Sequence, residues 1–163
     1  MPPIISIVGE SKSGKTTLIE KLILELKSRG YRVATIKHSI HSLRFDKEGK
    51  DSWRHIQSGS AATAIVSPDE VVLIKPVAAE PDLNEIAYLF NKTYDIILAE
   101  GFKQSQSPKV EVHRKAAGPP LSKVNNLIAI ATDEPLETNT RQFSLNDIKG
   151  LADFFESSFI KPQ

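Results

Sequence analysis

The chain has 163 residues, 40% of them hydrophobic and 25% charged, with a net charge of +1 and no cysteine. That size and composition fit one globular domain with a real core, and the near-neutral balance excludes a strong field selecting nucleic acid or an anionic membrane. The lack of cysteine excludes disulfides, thiolate metal ligands and a cysteine nucleophile.

Met1-Pro2-Pro3 leads directly into an apolar, β-branched run, Ile4-Ile5-Ser6-Ile7-Val8, which predicts a strand. There is no positive segment followed by an apolar one, and no apolar run approaches the roughly 20 residues of a membrane span, so the cytoplasm is the expected location. Gly9-Glu10-Ser11-Lys12-Ser13-Gly14-Lys15-Thr16 then matches the phosphate-loop pattern G-x-x-x-x-G-K-[ST] at every fixed position. Gly9 and Gly14 allow the tight turn, and the amides of Ser11 to Thr16 are expected to surround an anion at a helix N-terminus. Lys15 is assigned to the β- and γ-phosphates, Thr16 to Mg²⁺ and Thr17 to the α-phosphate. Leu18, Ile19, Leu22, Ile23 and Leu26 repeat at helical spacing, predicting a helix from Lys15 to about Arg29 that stops at Gly30.

Residues 31 to 37 read as a second strand. A strand, helix, strand order of this length implies a parallel sheet. The polar stretch 38 to 51 is a long loop at the ligand edge of such a sheet and carries Lys37, His38, His41, Asp46, Lys50 and Asp51 at or near it. Asp46 is a candidate second Mg²⁺ contact or water-positioning group, with a turn-forming role as the alternative. Asp51 either shares such a role or caps the short helix 52 to 58. Two histidines at this spacing do not make a zinc site without further ligands, so contact with an anionic ligand is the preferred reading. Residues 62 to 66 and 70 to 74 are predicted to pair around Ser67-Pro68-Asp69. They interrupt the βα alternation and are the candidate dimer contact.

Asp82-Leu83-Asn84-Glu85 has the form of a capping box opening a helix that buries Leu83, Ile86, Ala87 and Phe90. Ile96-Ile97-Leu98-Ala99 is the most continuous apolar run, as a central parallel strand requires, and it delivers Glu100 to the ligand edge as a Mg²⁺ or water-polarising carboxylate. Lys109-Val110-Glu111-Val112-His113 alternates, predicting a strand covered on one face. Its polar set with Lys103 and Arg114 is either a solvated face or a basic cluster for a second phosphate-bearing molecule. Residues 127 to 131 form a further buried strand that ends at Thr132-Asp133, and Asp133 is a candidate acceptor for guanine. Ser144 to Asp147 is expected to cap a last helix, with Ile148, Leu151, Ala152, Phe155 and Phe159 on one side; the tail from Lys161 to Gln163 is expected to fray. The expected fold is a single domain over 1–163, a three-layer P-loop NTPase with a mostly parallel central sheet and helices on both faces.

Gly9 to Leu22, Ile36-Lys37-His38, Gly49-Lys50-Asp51-Ser52, Glu100-Gly101-Phe102-Lys103 and Pro108 to Arg114 together resemble the MobB family of molybdopterin-guanine dinucleotide biosynthesis, in order from about residue 4 to residue 133. The resemblance implies GTP binding with Mg²⁺, weak hydrolysis, a homodimer, and association with a MobA-type guanylyltransferase that performs the nucleotidyl transfer, with molybdopterin as a bound cofactor. It assigns Gly9, Gly14, Lys15, Thr16, Thr17 and Glu100 to the phosphate and Mg²⁺ site, and His38, Asp46, Lys50 and Asp51 to the loop after the second strand. Ile40 stands where the family has a histidine, Arg44 where it has the first of two acids, and Glu48 where proline is common. The alternative reading is an ATP-dependent small-molecule kinase, with Arg44 and Arg54 as lid cations; a metallochaperone GTPase would need a metal motif that the chain lacks.

Overall fold

The structure is a computed structural model that describes residues 1–39, 41, 45–90 and 93–160. Ile40, Arg44 and the tail 161–163, on which expectations were placed above, lie outside the described residues. Two compact units are distinguished, one made of Met1–His38 and Asp82–Gln163, the other of Ser39–Pro81.

The first unit is built on a six-stranded sheet. Its strands are β1 (Ile4–Val8), β2 (Val33–Lys37), β5 (Ile96–Glu100), β6 (Lys109–His113), β7 (Leu127–Thr132) and β8 (Gln142–Ser144), in the order β2-β5-β1-β6-β7-β8. All five ladders are parallel. Parallel pairing needs both faces covered, and both are. On one face lie α1 (Lys15–Ser28) and α4 (Ile148–Ser158), whose Leu18, Leu22, Leu26, Leu151 and Phe155 pack on Ile5, Ile7, Ile96, Leu98, Val110 and Val112. On the other face lies α3 (Leu83–Ala87), with Leu83 and Ala87 against Ala34, Ile36, Ile97 and Ala99. The three-layer α/β architecture is the predicted one.

Helix ends follow from local chemistry. At the C-terminal end of α1 the Gly30 amide donates to the Lys27 carbonyl at 3.0 Å and the Tyr31 amide to the Leu26 carbonyl at 3.1 Å. That pair of bonds is a Schellman stop. Arg29 then ties α1 to α4 through Asp153 at 2.6 Å and Glu156 at 2.8 Å. Both halves of the Asp82–Glu85 capping box form. The helix it opens runs only to Ala87 before tightening into a 3-10 turn, so Ile86 and Phe90 are partly rather than fully buried.

One sequence expectation is narrowed and another needs correction. Within the expected capping segment the N-cap of α4 is its last residue, Asp147, which accepts from the Gly150 amide at 3.0 Å, while Ser144 ends β8, an edge strand too short to show alternation. Nor is β6 covered on one face only: all five of its residues are buried. It lies between β1 and β7, and its charged face is roofed by loops.

The second unit contains another short helix, α2 (Asp51–Gln57), and a hairpin of β3 (Thr63–Val66) and β4 (Val71–Ile74), an antiparallel two-stranded sheet of its own. Ser67 closes the turn, its amide donating to the Glu70 carbonyl at 2.8 Å and its hydroxyl to Asp69 at 2.7 Å. Several apolar side chains of this hairpin are exposed, Val66 and Val71 by about 70% each (71% and 70%).

The face periodicity of α1 yields a stability test. Leu22 is fully buried and Leu24, on the same helix, is 69% exposed. Leu22→Ala should cost about 2–5 kcal/mol and Leu24→Ala no more than about 0.5 kcal/mol, measured by urea unfolding.

Candidate functional site

Because every strand of the sheet runs the same way, all their C-terminal ends meet at one edge. The phosphate loop follows β1 there, between the tip of β5 on one side and the tip of β6 on the other. Gly9 has φ of +150°, and a Cβ on it would collide with the Val112 carbonyl oxygen. No other residue fits, which places the loop directly over β6. Ser11 and Lys12 are exposed on its crest, and Ser13 is buried beneath it with its hydroxyl unpartnered. Gly14 is the N-cap of α1, and Thr16 and Thr17 are exposed in the first turn.

Lys15 donates from Nζ to the carbonyls of Gly9 at 3.2 Å and Glu10 at 2.7 Å. Its ammonium therefore lies across the loop, and burial pushes its pKa below the usual lysine value, with Glu100 opposing the shift. Thr16 Oγ1 donates to both carboxylate oxygens of Glu100, at 3.1 Å each. A hydroxyl facing a carboxylate at a helix N-terminus is an oxygen donor set suited to Mg²⁺, which would sit between the two and take them as ligands. The residues present thus fit both a nucleotide polyphosphate and its metal ion. Lys37 stands 4.0 Å from Glu100, and Lys103 stands 3.6 Å from Glu10, so two more cations border the loop on the β5 side.

The turn after β5 explains the Glu-Gly-Phe-Lys segment. Gly101 has φ of +97°, its amide donates to the Ile7 carbonyl, and an added Cβ would meet the His38 side chain at 3.0 Å. Phe102, also left-handed at φ 57°, sets its ring 4.8 Å from that of His38. The chain then carries Lys103 back to Glu10. His38 is thereby held against an aromatic ring at the sheet edge.

The Lys-Val-Glu-Val-His-Arg segment is not a solvated face. Lys109 is fully buried and its Nζ donates to the carbonyls of Ser105 and Ser107. Glu111 accepts from the Leu121 amide at 2.7 Å, and His113 meets Glu134 at 3.1 Å. Hydrogen bonds from His113 and then Lys115 hold the Glu134 carboxyl below its usual range. Lys109 and His113 are thus committed inside the protein rather than presented to a second ligand. Sequence reasoning missed Glu134 and the Ser105–Ser107 carbonyls, which lie in loops without periodicity. Only the charge on alternate strand positions signalled that such partners were needed. Arg114, past the end of β6, is different: Nε donates to the Ser13 carbonyl at 3.4 Å and NH1 lies 3.8 Å from Asp133. Asp133 also accepts from the Lys115 amide at 2.9 Å.

His41, Asp46, Lys50 and Asp51 belong to the second unit. The His41 amide donates to the Ser39 hydroxyl, and Lys50 is the N-cap residue of α2, which Asp51 opens. Asp46 accepts from the Ser52 hydroxyl at 2.9 Å, and its second oxygen is buried without a partner. Among the described residues no three His, Asp or Glu side chains gather to hold a metal.

Residues 4–133 match the family described as Molybdopterin guanine dinucleotide synthesis protein B. The chain belongs to the MobB family. The molybdopterin-guanine dinucleotide biosynthesis adapter protein of Haemophilus influenzae is 41% identical over 157 residues, spanning 95% of this chain and 88% of its own. The adapter protein of Escherichia coli is 37% identical over 160 residues, spanning 94% and 91%. The crystal structure of a MobB homolog from Bacillus stearothermophilus superposes with a TM-score of 0.70 at 28% identity, covering 94% of this chain and 95% of that one. The matched span runs from β1 through the tip of β7, so it holds the phosphate loop, Glu100 and the β6 segment of this MobB-family chain.

The buried Glu111 yields a pH test. Burial raises its carboxyl above the ordinary 4.5, with the Leu121 amide and His113 opposing. The folded chain therefore keeps a proton that the unfolded chain releases, so stability falls as pH rises between the two values, and the penalty is complete above the folded one. Glu111→Gln keeps an acceptor for Leu121 and removes the charge. Its thermal midpoint should exceed that of the wild type most near pH 8, and the difference should vanish towards pH 4. A variant less stable at pH 8 than at pH 4, relative to wild type, would show that the ionised form is needed.

Proposed function

We propose that this chain is an adapter protein of molybdopterin-guanine dinucleotide synthesis that binds Mg-GTP in its phosphate loop and hydrolyses it slowly. The adapter role rests on the relatives in Haemophilus influenzae and Escherichia coli, which carry that description. The nucleotide role rests on one observation above all: Lys15 lies across the loop while Thr16 faces Glu100 beside it. In the proposed complex Lys15 gives up the Gly9 and Glu10 carbonyls for phosphate oxygens, and the amides from Ser11 to Thr17 complete the cradle. Thr16 and Glu100 would hold the metal ion, which when bound would supply positive charge against the phosphates.

Slow hydrolysis follows from the same geometry. Both oxygens of Glu100 are turned to Thr16 and, in the complex, to the metal, which leaves it a poor base for water. Single-turnover GTP hydrolysis by the isolated protein should stay below about 1 s⁻¹, as in unassisted GTPases. The nucleotidyl transfer belongs to a MobA-type guanylyltransferase partner acting in the cytoplasm, and the chain supplies it with nucleotide or with bound molybdopterin.

A calorimetric titration with Mg-GTP and then Mg-ATP tests this reading. GTP should bind more tightly, and Lys15→Ala should weaken it on the order of a hundredfold, because several charge-assisted hydrogen bonds go at once. A preference for ATP would instead favour a small-molecule kinase, and an unaffected Lys15→Ala would remove the loop from the account.

The proposed protein is a homodimer joined through the β3–β4 hairpin. Val66, Val71 and Leu73 are all more than half exposed there, an apolar surface that a second copy would cover. Val71→Glu should halve the mass seen by sedimentation equilibrium without lowering Mg-GTP affinity more than a few-fold; an unchanged mass would place any dimer contact elsewhere.

A further inference from the structure

We propose that Arg114, positioned by Asp133, receives the α-phosphate of the nucleotide on the side of the loop away from the metal, and that the nucleoside runs on over β7 and β8. This inference rests on the nucleotide reading above.

The sheet order gives the phosphate loop two unlike flanks. On the β5 flank Thr16 faces Glu100, and Lys37 and Lys103 stand near acids. That flank is the metal edge, where the β- and γ-phosphates belong. On the β6 flank the cation is Arg114. A Cβ on Gly14, the N-cap of α1, would come within 3.5 Å of its NH2, so the guanidinium lies beside the very turn where the amides of α1 begin.

Arg114 is poorly committed to the protein. A guanidinium has five donors, and here one makes a long 3.4 Å contact with the Ser13 carbonyl while NH1 stays 3.8 Å from Asp133. Asp133 is itself fixed by the Lys115 amide, so it holds the guanidinium by charge in one place without saturating it. A cation kept at a helix N-terminus with donors to spare is suited to a phosphate oxygen. In this arrangement Asp133 acts through Arg114 rather than by direct contact with the base.

Beyond Asp133, at the same edge, a cavity of about 290 Å³ opens between Thr132–Pro135 and Gln142–Ser144. Strands lie about 4.8 Å apart, so this space is about 10–14 Å from the loop along the sheet edge. A nucleoside leaving an α-phosphate on Arg114 spans that interval, and the direction is away from the metal edge.

The test is calorimetry on the full chain with Mg-GTP, Mg-GDP and Mg-pyrophosphate. GTP and GDP both carry the α-phosphate, whereas pyrophosphate fills only the two metal-side positions. Arg114→Gln should weaken GTP and GDP by the same factor, about ten- to hundredfold, and leave pyrophosphate unchanged. Arg114→Lys should recover part of the loss. Asp133→Asn should cost a few-fold in the wild-type background and nothing in the Arg114→Gln background.

Loss for GTP but not GDP would put the guanidinium at the γ-phosphate and overturn the inference. Parallel loss of pyrophosphate would show a distorted loop and overturn it as well. If Lys15→Ala weakens binding as expected while Arg114→Gln and Asp133→Asn leave it intact, the nucleotide reading stands and this inference falls. If the wild-type chain binds none of the three ligands, both fall together. Should Arg114→Gln fail to fold, Arg114→Lys and Asp133→Asn carry the same comparison, and equal affinities for all three proteins would overturn it.

Discussion

The site depends on the parallel register of one sheet. Ile7 pairs with Glu100, Lys37 pairs with the same Glu100 from the other side, Val8 pairs with Glu111, and His113 pairs with Thr132. Each pair fixes a strand tip against its neighbour to within the length of a hydrogen bond. Parallel strands must return by a crossover, so every tip arrives at the same edge and every crossover leaves from it. Glu100 reaches Thr16, 84 residues away in sequence, only because β5 is hydrogen-bonded beside β1. A register slip of one residue would turn the carboxylate to the opposite face.

The same register creates a difficulty at β6. A central strand is buried on both faces, yet this one carries Lys109, Glu111 and His113. Burying a charge without a partner is costly, and the loops after β5, β6 and β7 supply the partners. Carbonyls of Ser105 and Ser107 meet the ammonium, the Leu121 amide meets the carboxylate, and Glu134 meets the imidazole. These loops are thus ordered by the strand they cover. The loop after β6 starts with Arg114 and Lys115, and the loop after β5 carries Lys103. Burying polar groups in β6 anchors the segments that flank the phosphate loop on both sides.

The sequence made the apolar framework readable and left the polar contacts obscure. Periodicity marked α1 and the inner strands because apolar residues at fixed spacing have one cheap solution, burial. The phosphate loop was legible because two glycines, a lysine and a threonine at fixed offsets admit few structures, and the Asp82–Glu85 cap because both of its bonds are local. β6 misled for the opposite reason. Alternation of apolar and charged residues normally means one wet face, and nothing local reports that loops 10 and 21 residues further on will cover the charges of Glu111 and His113. β8, three residues long, is defined by its pairing with β7 and not by its own pattern. Asp133 could be placed at a strand tip from sequence, but its bonds to Lys115 and toward Arg114 belong to tertiary structure.

The loop's own contacts bear on how the proposed nucleotide would enter. Lys15 rests on the Gly9 and Glu10 carbonyls, Thr16 on Glu100, and Arg114 on Ser13. Lys15 and Thr16 are satisfied by a carbonyl or carboxylate within the same edge and Arg114 only in part, so the centre of the loop is ordered in advance and an incoming ligand would cost it little conformational entropy. The contacts differ in strength. Lys15 to the Glu10 carbonyl is short at 2.7 Å, Thr16 divides one proton between two oxygens, and Arg114 to Ser13 is long at 3.4 Å. In the proposed complex a phosphate would have to displace the first, whereas the third would yield readily. The β6 flank is therefore the one freer to adapt, while Glu100 on the β5 flank stays fixed to the sheet.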